Sequence, residues 1–224
     1  GLGNRLHIEL FKPFVLENFN DLNVQVIDQD RPVVSEGGFH FNEGLFNKCP
    51  DWVCLSGYFQ TEKYFKNIEQ EIREDFKFKD DILIPCQEMM DNFGEPPLSL
   101  HIRRGDFLKN SGNHHNLGLE YYDKALAEFP TSVPVLIFSD DPEWCGEQEI
   151  FGDDRFLIAE GNSSYVDLCL MSLCEGHIIA NSTFSWWGAW LADSKMVVAP
   201  SVWFGPNNAH LDIKDLYLDN WEVI

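Results

Sequence analysis

Two adjacent arginines, Arg103 and Arg104, followed by Gly105 and Asp106, come directly after an alternating apolar run made by Leu98, Leu100 and Ile102. A guanidinium is a planar fork of donors that matches phosphate oxygens in pairs, and a glycine lets backbone approach a ligand closely. The chemistry this suggests is capture of a diphosphate at the end of a buried strand. Paired arginines beside acidic residues also make solvated salt-bridge clusters, which is the ordinary reading of an isolated Arg-Arg-Gly-Asp. Two features favour the ligand. No turn residue separates the pair from the strand, and cations are scarce elsewhere: 16 Lys and Arg stand against 37 Asp and Glu, a formal net charge of -21. That balance argues against a broad nucleic-acid or anionic-membrane surface, so an anionic ligand has to find a local positive pocket.

Other polar residues fall at two further strand ends, Ser139 to Asp141 and Asn181 to Ser185. Asp140 and Asp141 precede Pro142; one can cap the following helix while the other accepts from the N–H groups of a purine such as guanine. Ser182 and Thr183 stand at a helix start, where free N–H groups favour phosphate and where simple capping is the modest alternative. His114 and His115 lie in a polar loop; if that loop folds over the pocket either can accept a proton, as can Asp106. Arg103 and Asp106 are the expected catalytic residues, with the choice of base left open. Gly57, Tyr58 and Gln60 sit at a strand-to-helix turn and are read either as ligand contacts or as packing. The opening GLGNR is either a backbone N–H cradle or a turn. No HExxH or carboxylate cluster of ligand spacing appears, so no obligatory metal is expected. The six cysteines show no CxxC pair and no zinc spacing, which reads as reduced thiols in a cytosolic protein. No signal or transit peptide is visible in a chain that opens without methionine.

The elements that must position these groups follow from the hydrophobic pattern. With 224 residues, 44% hydrophobic and 14% aromatic, the chain is globular and has no apolar run long enough to span a membrane. From Leu98 onward, strand-like and helix-like segments alternate: strands near 98–102, 133–141, 155–160, 177–181 and 195–200, with helices between them. That alternation predicts a parallel sheet with helices on both faces, a Rossmann-like C-terminal half. Before it, a helix is expected over 81–93, ending at Gly-Glu-Pro-Pro, a plausible boundary between residues 1–95 and 96–224. A strand-like entry at Trp52–Leu55 is expected to turn at Gly57 into a longer helix running through Phe78, with Tyr64, Phe65, Ile68 and Ile72 on its apolar face. Ahead of Trp52 the sequence is turn-broken and shows no strand-helix-strand repeat.

The stretches SLHIRRGDF, GYFQTEKYF, FSDDPEW and IIANSTFSWWGAWLAD together resemble the α-1,2-fucosyltransferases, from about Trp52 to nearly the end. GLGNR is similar to that family's N-terminal glycine loop, with Arg5 where the family has glutamine. The resemblance implies an α/β fold of the GT-B type, two Rossmann-like lobes with the donor site in the C-terminal one. The N-terminal lobe is then short or incomplete, and because Arg5 runs straight into LHIELFKPF a segment after it is expected to be missing. The implied reaction is inverting transfer of L-fucose from GDP-β-L-fucose to the 2-hydroxyl of a terminal galactose, with no cofactor and no obligatory metal. The implied partners are GDP-fucose and a galactose-terminated glycan, not nucleic acid. The expected location is the cytoplasm, with peripheral association at the inner membrane surface left open. By the same resemblance Arg103 grips the diphosphate and Arg104 supports it. His101 and Asp140 lie near guanine, Ser182, Thr183 and Phe184 near the phosphates and ribose, and Asn4 beside the fucose and acceptor. The rival reading is a non-catalytic nucleotide-sugar or glycan-binding module on the same fold, supported by Arg5 and the short N-terminal lobe.

Overall fold

A computed structural model describes residues 13–16 and 31–224. Its first elements are small: β1 (Val33–Ser35) and β2 (Cys54–Ser56) form a two-stranded parallel sheet, with α1 (Glu43–Lys48) between them. Asn42 starts α1 by accepting from the Leu45 N–H at 2.9 Å. Neither β1 nor α1 was expected, because three-residue and six-residue elements are too short to show a period.

The long helix expected after Gly57 is broken. Two 3₁₀ turns, Glu62–Tyr64 and Lys66–Ile68, precede α2 (Glu69–Asp75). The aromatic side chains explain the break: Tyr64 packs with Phe41 and Phe59, whereas the next residue, Phe65, stacks on Trp187 and meets Trp190 edge-on. Ile68, expected on the buried face, is 42% exposed. The next helix, α3 (Asp80–Met90), matches its expectation to within a turn.

The six-stranded sheet is built as the alternation predicts. Its strands are β3 (Leu98–Ile102), β4 (Val135–Ser139), β5 (Phe156–Ile158), β6 (Gly176–Ile178), β7 (Met196–Ala199) and β8 (Glu222–Val223), and every pairing is parallel. The two-residue β8 is an addition that no sequence period announces. The helices are α4 (Gly105–Lys109), α5 (Leu119–Leu126), α6 (Pro142–Gly146), α7 (Ser164–Ser172) and α8 (Thr183–Leu191). Of these α4 was expected to be loop, since Gly105–Lys109 carries no apolar stripe.

The strand period of two distributes the core to both faces. Val135 and Ile137 pack with Tyr121, Tyr122 and Leu126 of α5, while Leu136 and Phe138 pack with Cys169, Leu170 and Met171 of α7. Trp186 and Trp190 of α8 join Val197 and Ala199 in a third cluster. The spatial order β5-β4-β3-β6-β7-β8 is that of a Rossmann sheet, with the order reversing between β3 and β6. A crevice must open there, because the connections leaving those two strands diverge to either side.

Candidate functional site

At the carboxyl ends of β3, β4 and β6 lies a cleft of about 880 Å³, at the point where the strand order reverses. Among the described residues, Arg103 is the one Lys or Arg on its wall. Its guanidinium is held between two carboxylates, Nη2 at 2.7 Å from Asp106 and Nη1 at 3.0 Å from Asp140, and is one-third exposed, at 33%. Arg104 turns away. Its Nε donates to Asp141 at 2.9 Å and its guanidinium lies 3.7 Å above the Trp144 ring, so it fastens β3 to α6 instead of facing the cleft.

The two aspartates expected at Ser139 to Asp141 divide their work. Asp141 caps α6 by accepting from the Trp144 N–H at 3.3 Å, which is the capping role foreseen for one of them. Asp140 accepts from the Arg104 backbone N–H at 2.9 Å with one oxygen and pairs with Arg103 through the other. Each oxygen thus has a partner in the arginine loop, and the residue also lines the cleft, where its remaining acceptor sites face the space in which a purine was expected. Gly105 is needed for that close approach: a Cβ there would stand 2.5 Å from Asp140 Oδ2. Asp106, expected as a catalytic residue, is 65% exposed and off the cleft wall, with its carboxylate on Arg103.

His101 lines the cleft yet is only 4% exposed. Burial, aided by the charge of Arg103, pushes its pKa down to about 3, so the ring is neutral. Its Nδ1 lies 2.8 Å from Ser185 Oγ, whose hydroxyl is 3.5 Å from the Ala180 carbonyl. If that hydroxyl donates to the carbonyl, Nδ1 carries the proton and Nε2 is an acceptor. Phe184 tilts against the ring at 5.5 Å.

Ser182 caps α8, its Oγ accepting from the Phe184 N–H at 3.3 Å, and Thr183 stands exposed in the first turn on the cleft wall. Asn181 is a brace: Nδ2 donates at 2.8 Å to the carbonyls of both His115 and Trp203, tying three loops together. His114 lines the cleft with its ring flat on Phe107 at 4.0 Å, whereas His115 is off the wall. Asn4 and the GLGNR loop lie outside the described residues.

The sequence reading missed Asp167 and Asn162, both on the cleft wall. Asp167 lies in the first turn of α7; burial raises its pKa, opposed by a 3.0 Å hydrogen bond from Asn162 Nδ2. A carboxylate only accepts, and with one oxygen on Asn162 the other is available to an N–H donor in the cleft. The available signal was one acidic residue inside the otherwise apolar helix SYVDLCLMS. Among the described residues, no helix is long and apolar enough to cross a membrane.

The model for glycosyl transferase family 11 matches residues 40–224. The chain is 34% identical over 185 residues to the O-antigen biosynthesis glycosyltransferase WbnK of Escherichia coli, covering 75% of this chain and 59% of that protein. It is 39% identical over 164 residues to an α-1,2-colitosyltransferase of Escherichia coli, covering 68% of this chain and 56% of that one. The chain thus spans under two thirds of the length of these relatives. A crystal structure of the α-1,6-fucosyltransferase NodZ soaked with GDP-fucose superposes with a TM-score of 0.49 at 15% identity, over 75% of this chain and 60% of NodZ. On the family match, which takes in β1's partner strand β2 and the whole six-stranded sheet, the chain belongs to glycosyl transferase family 11.

Proposed function

We propose that the cleft binds GDP-β-L-fucose and that the protein transfers L-fucose, with inversion and without a metal ion, to the 2-hydroxyl of a terminal galactose. The observation that carries this is Arg103, among the described residues the one guanidinium on the cleft wall, sharing the strand-order switch point with the first turn of α8. Both supply positive potential for the charge that grows on the departing GDP, the task a divalent cation performs elsewhere. Asp167 accepts from the N–H groups of guanine, and neutral His101 lines the same cleft. Asp106 and Asp140 position Arg103, and Arg104 positions the loop by its hold on α6. Of the groups raised as proton acceptors, His114 is the one on the cleft wall, and it takes the acceptor hydroxyl's proton. In this reading residues 96–224 form the donor lobe of a two-lobed GT-B enzyme and residues 1–95 the acceptor side. The galactoside α-(1,2)-fucosyltransferase 1 of Sus scrofa, 24% identical over 63% of this chain and covered over 43% of its own length, supports the linkage. The 39% identity to a colitosyltransferase favours a second reading of the donor, a colitosyl group in place of fucosyl.

The test is GDP release from GDP-fucose and from GDP-colitose, with and without lactose, in EDTA, for the wild type and Arg103→Ala. Release that needs lactose, survives EDTA and falls by about 10²-fold or more in the variant is expected. Binding of GDP with no release on any galactoside would establish the non-catalytic module instead. Absence of GDP binding overturns the nucleotide assignment.

A further inference from the structure

A second pocket, about 330 Å³, adjoins the cleft and shares three wall residues with it: Tyr58, Gln60 and Thr183. Its remaining walls are largely aromatic, with Phe59 and Trp187 among them. We infer that this pocket receives the pyranose ring of the acceptor sugar. The inference rests on the cleft being the donor site, and it assigns Gln60 as a substrate-contacting residue.

Three observations support it. First, the wall composition suits a sugar. A pyranose presents a face of C–H groups that packs on aromatic rings and a rim of hydroxyls that needs a few fixed polar partners. Second, the Gln60 side-chain oxygen is buried and has no hydrogen-bond partner among the described residues. A buried acceptor left unpaired is unfavourable, and a ligand hydroxyl is a donor that satisfies it. Third, the position fits the reaction. The larger cleft has the volume to hold an entire nucleoside diphosphate sugar. The smaller pocket meets it at Thr183, in the first turn of α8, and Asp167 and Asn162 are not on its wall. It therefore opens beside the diphosphate end of the donor and away from the base, where an attacking hydroxyl has to arrive.

The turn that carries Tyr58 and Gln60 is built to hold them. Glu36, 2% exposed, reaches up from the end of β1 and its Oε2 accepts from the backbone N–H groups of both Tyr58 and Phe59, each at 2.9 Å. Phe59 is left-handed at φ 49°, an unfavourable conformation for a bulky residue that this double hydrogen bond retains. Gly57 makes room for the carboxylate, since a Cβ there would lie 2.6 Å from Glu36 Oε2.

The experiment compares wild type with Gln60→Ala, Gln60→Leu and Gln60→Asn. The quantities are KM for lactose, Kd for GDP by calorimetry, and the slow acceptor-free hydrolysis of GDP-fucose. The expected result is a lactose KM raised about tenfold or more in the alanine and leucine variants and partly restored by asparagine. GDP affinity and acceptor-free hydrolysis stay within about twofold of wild type, which also shows that the variants are folded. An unmoved lactose KM in an otherwise active enzyme overturns the subsite and leaves the donor reading standing. A raised GDP Kd with unmoved lactose KM does the same, assigning Gln60 to the donor. A wild type that binds no GDP overturns the donor reading and this subsite with it.

Discussion

The two sides of the cleft are held by different means. His101, Arg103 and Ser139 stand at the ends of strands whose ladder runs unbroken through six parallel strands, with β3 paired over five residues to β4 and over three to β6. Tyr58 and Gln60 stand on a turn that leaves a two-stranded sheet with exposed strand β2, and what fixes that turn is one buried carboxylate. The first side cannot move without disturbing the cooperative core; the second can be loosened by one atom group. Such a division lets the groups expected to hold the constant substrate come with the fold, while those expected to meet the variable one are set locally.

The comparison breaks or sharpens in four measurements. The largest effect concerns the sheet side and acid. His101 and the equally buried His177 are both held near pKa 3 by burial, against about 6.5 in an unfolded chain. The unfolded state therefore binds more protons between those values. Stability is complete above pH 6.5 and is lost as pH falls towards 3, by roughly 2 kcal/mol per histidine at pH 5. Urea midpoints at pH 7 and pH 5 should show the loss, and His177→Leu, which removes an unpartnered Nε2, should about halve it. Equal midpoints would mean that the sheet admits water or charge.

Next comes Glu36→Ala, which removes the one oxygen that accepts from both backbone N–H groups of the 57–60 turn. It is expected to lower kcat/KM for lactose by about 10²-fold with GDP affinity retained. Loss of both together would erase the distinction between the two sides. Gly105→Ala should act the other way round. Displacing Asp140 from the arginine loop is expected to weaken GDP about tenfold and leave lactose KM unchanged, as titration calorimetry and initial rates would report. The smallest change is Asp106→Asn, which frees one side of Arg103 and should tighten GDP by a few-fold. Weaker binding in that variant would show that the carboxylate aligns the guanidinium more than it competes for it.

Much of this was legible in the sequence, for physical reasons that also explain the gaps. Strands of the sheet were readable because their residues alternate or run apolar between turn residues, and the helices of α5, α7 and α8 because they fill the intervals. Glu222–Val223 is a strand only because Ala199 and its neighbours offer a free edge, which no local pattern records. Tyr64 and Phe65 read as one helical stripe, yet they answer to aromatic partners on opposite sides, and the helix gives way between them. Residue type announced that Arg103, Arg104, Asp140 and Asp106 belong together. It did not tell which guanidinium faces the cleft and which is stacked on Trp144, because that depends on the placement of α6. Asp167 escaped notice and Gln60 was left between ligand contact and packing for the same reason: their meaning lies in what surrounds them after folding.

Arg103 is already occupied before any ligand arrives, and this bears on the pace of a reaction cycle. On the proposed donor reading, Asp106, mostly in water, would stand in for the diphosphate, so that an incoming nucleotide would exchange one anion for another and the guanidinium would not be left bare. Such an exchange would weaken donor and product alike, since both carry the same diphosphate, and would leave the chemical barrier untouched. What it would favour is departure: a carboxylate waiting at the rim could retake the fork as GDP left, which would speed turnover wherever product release is the slow step.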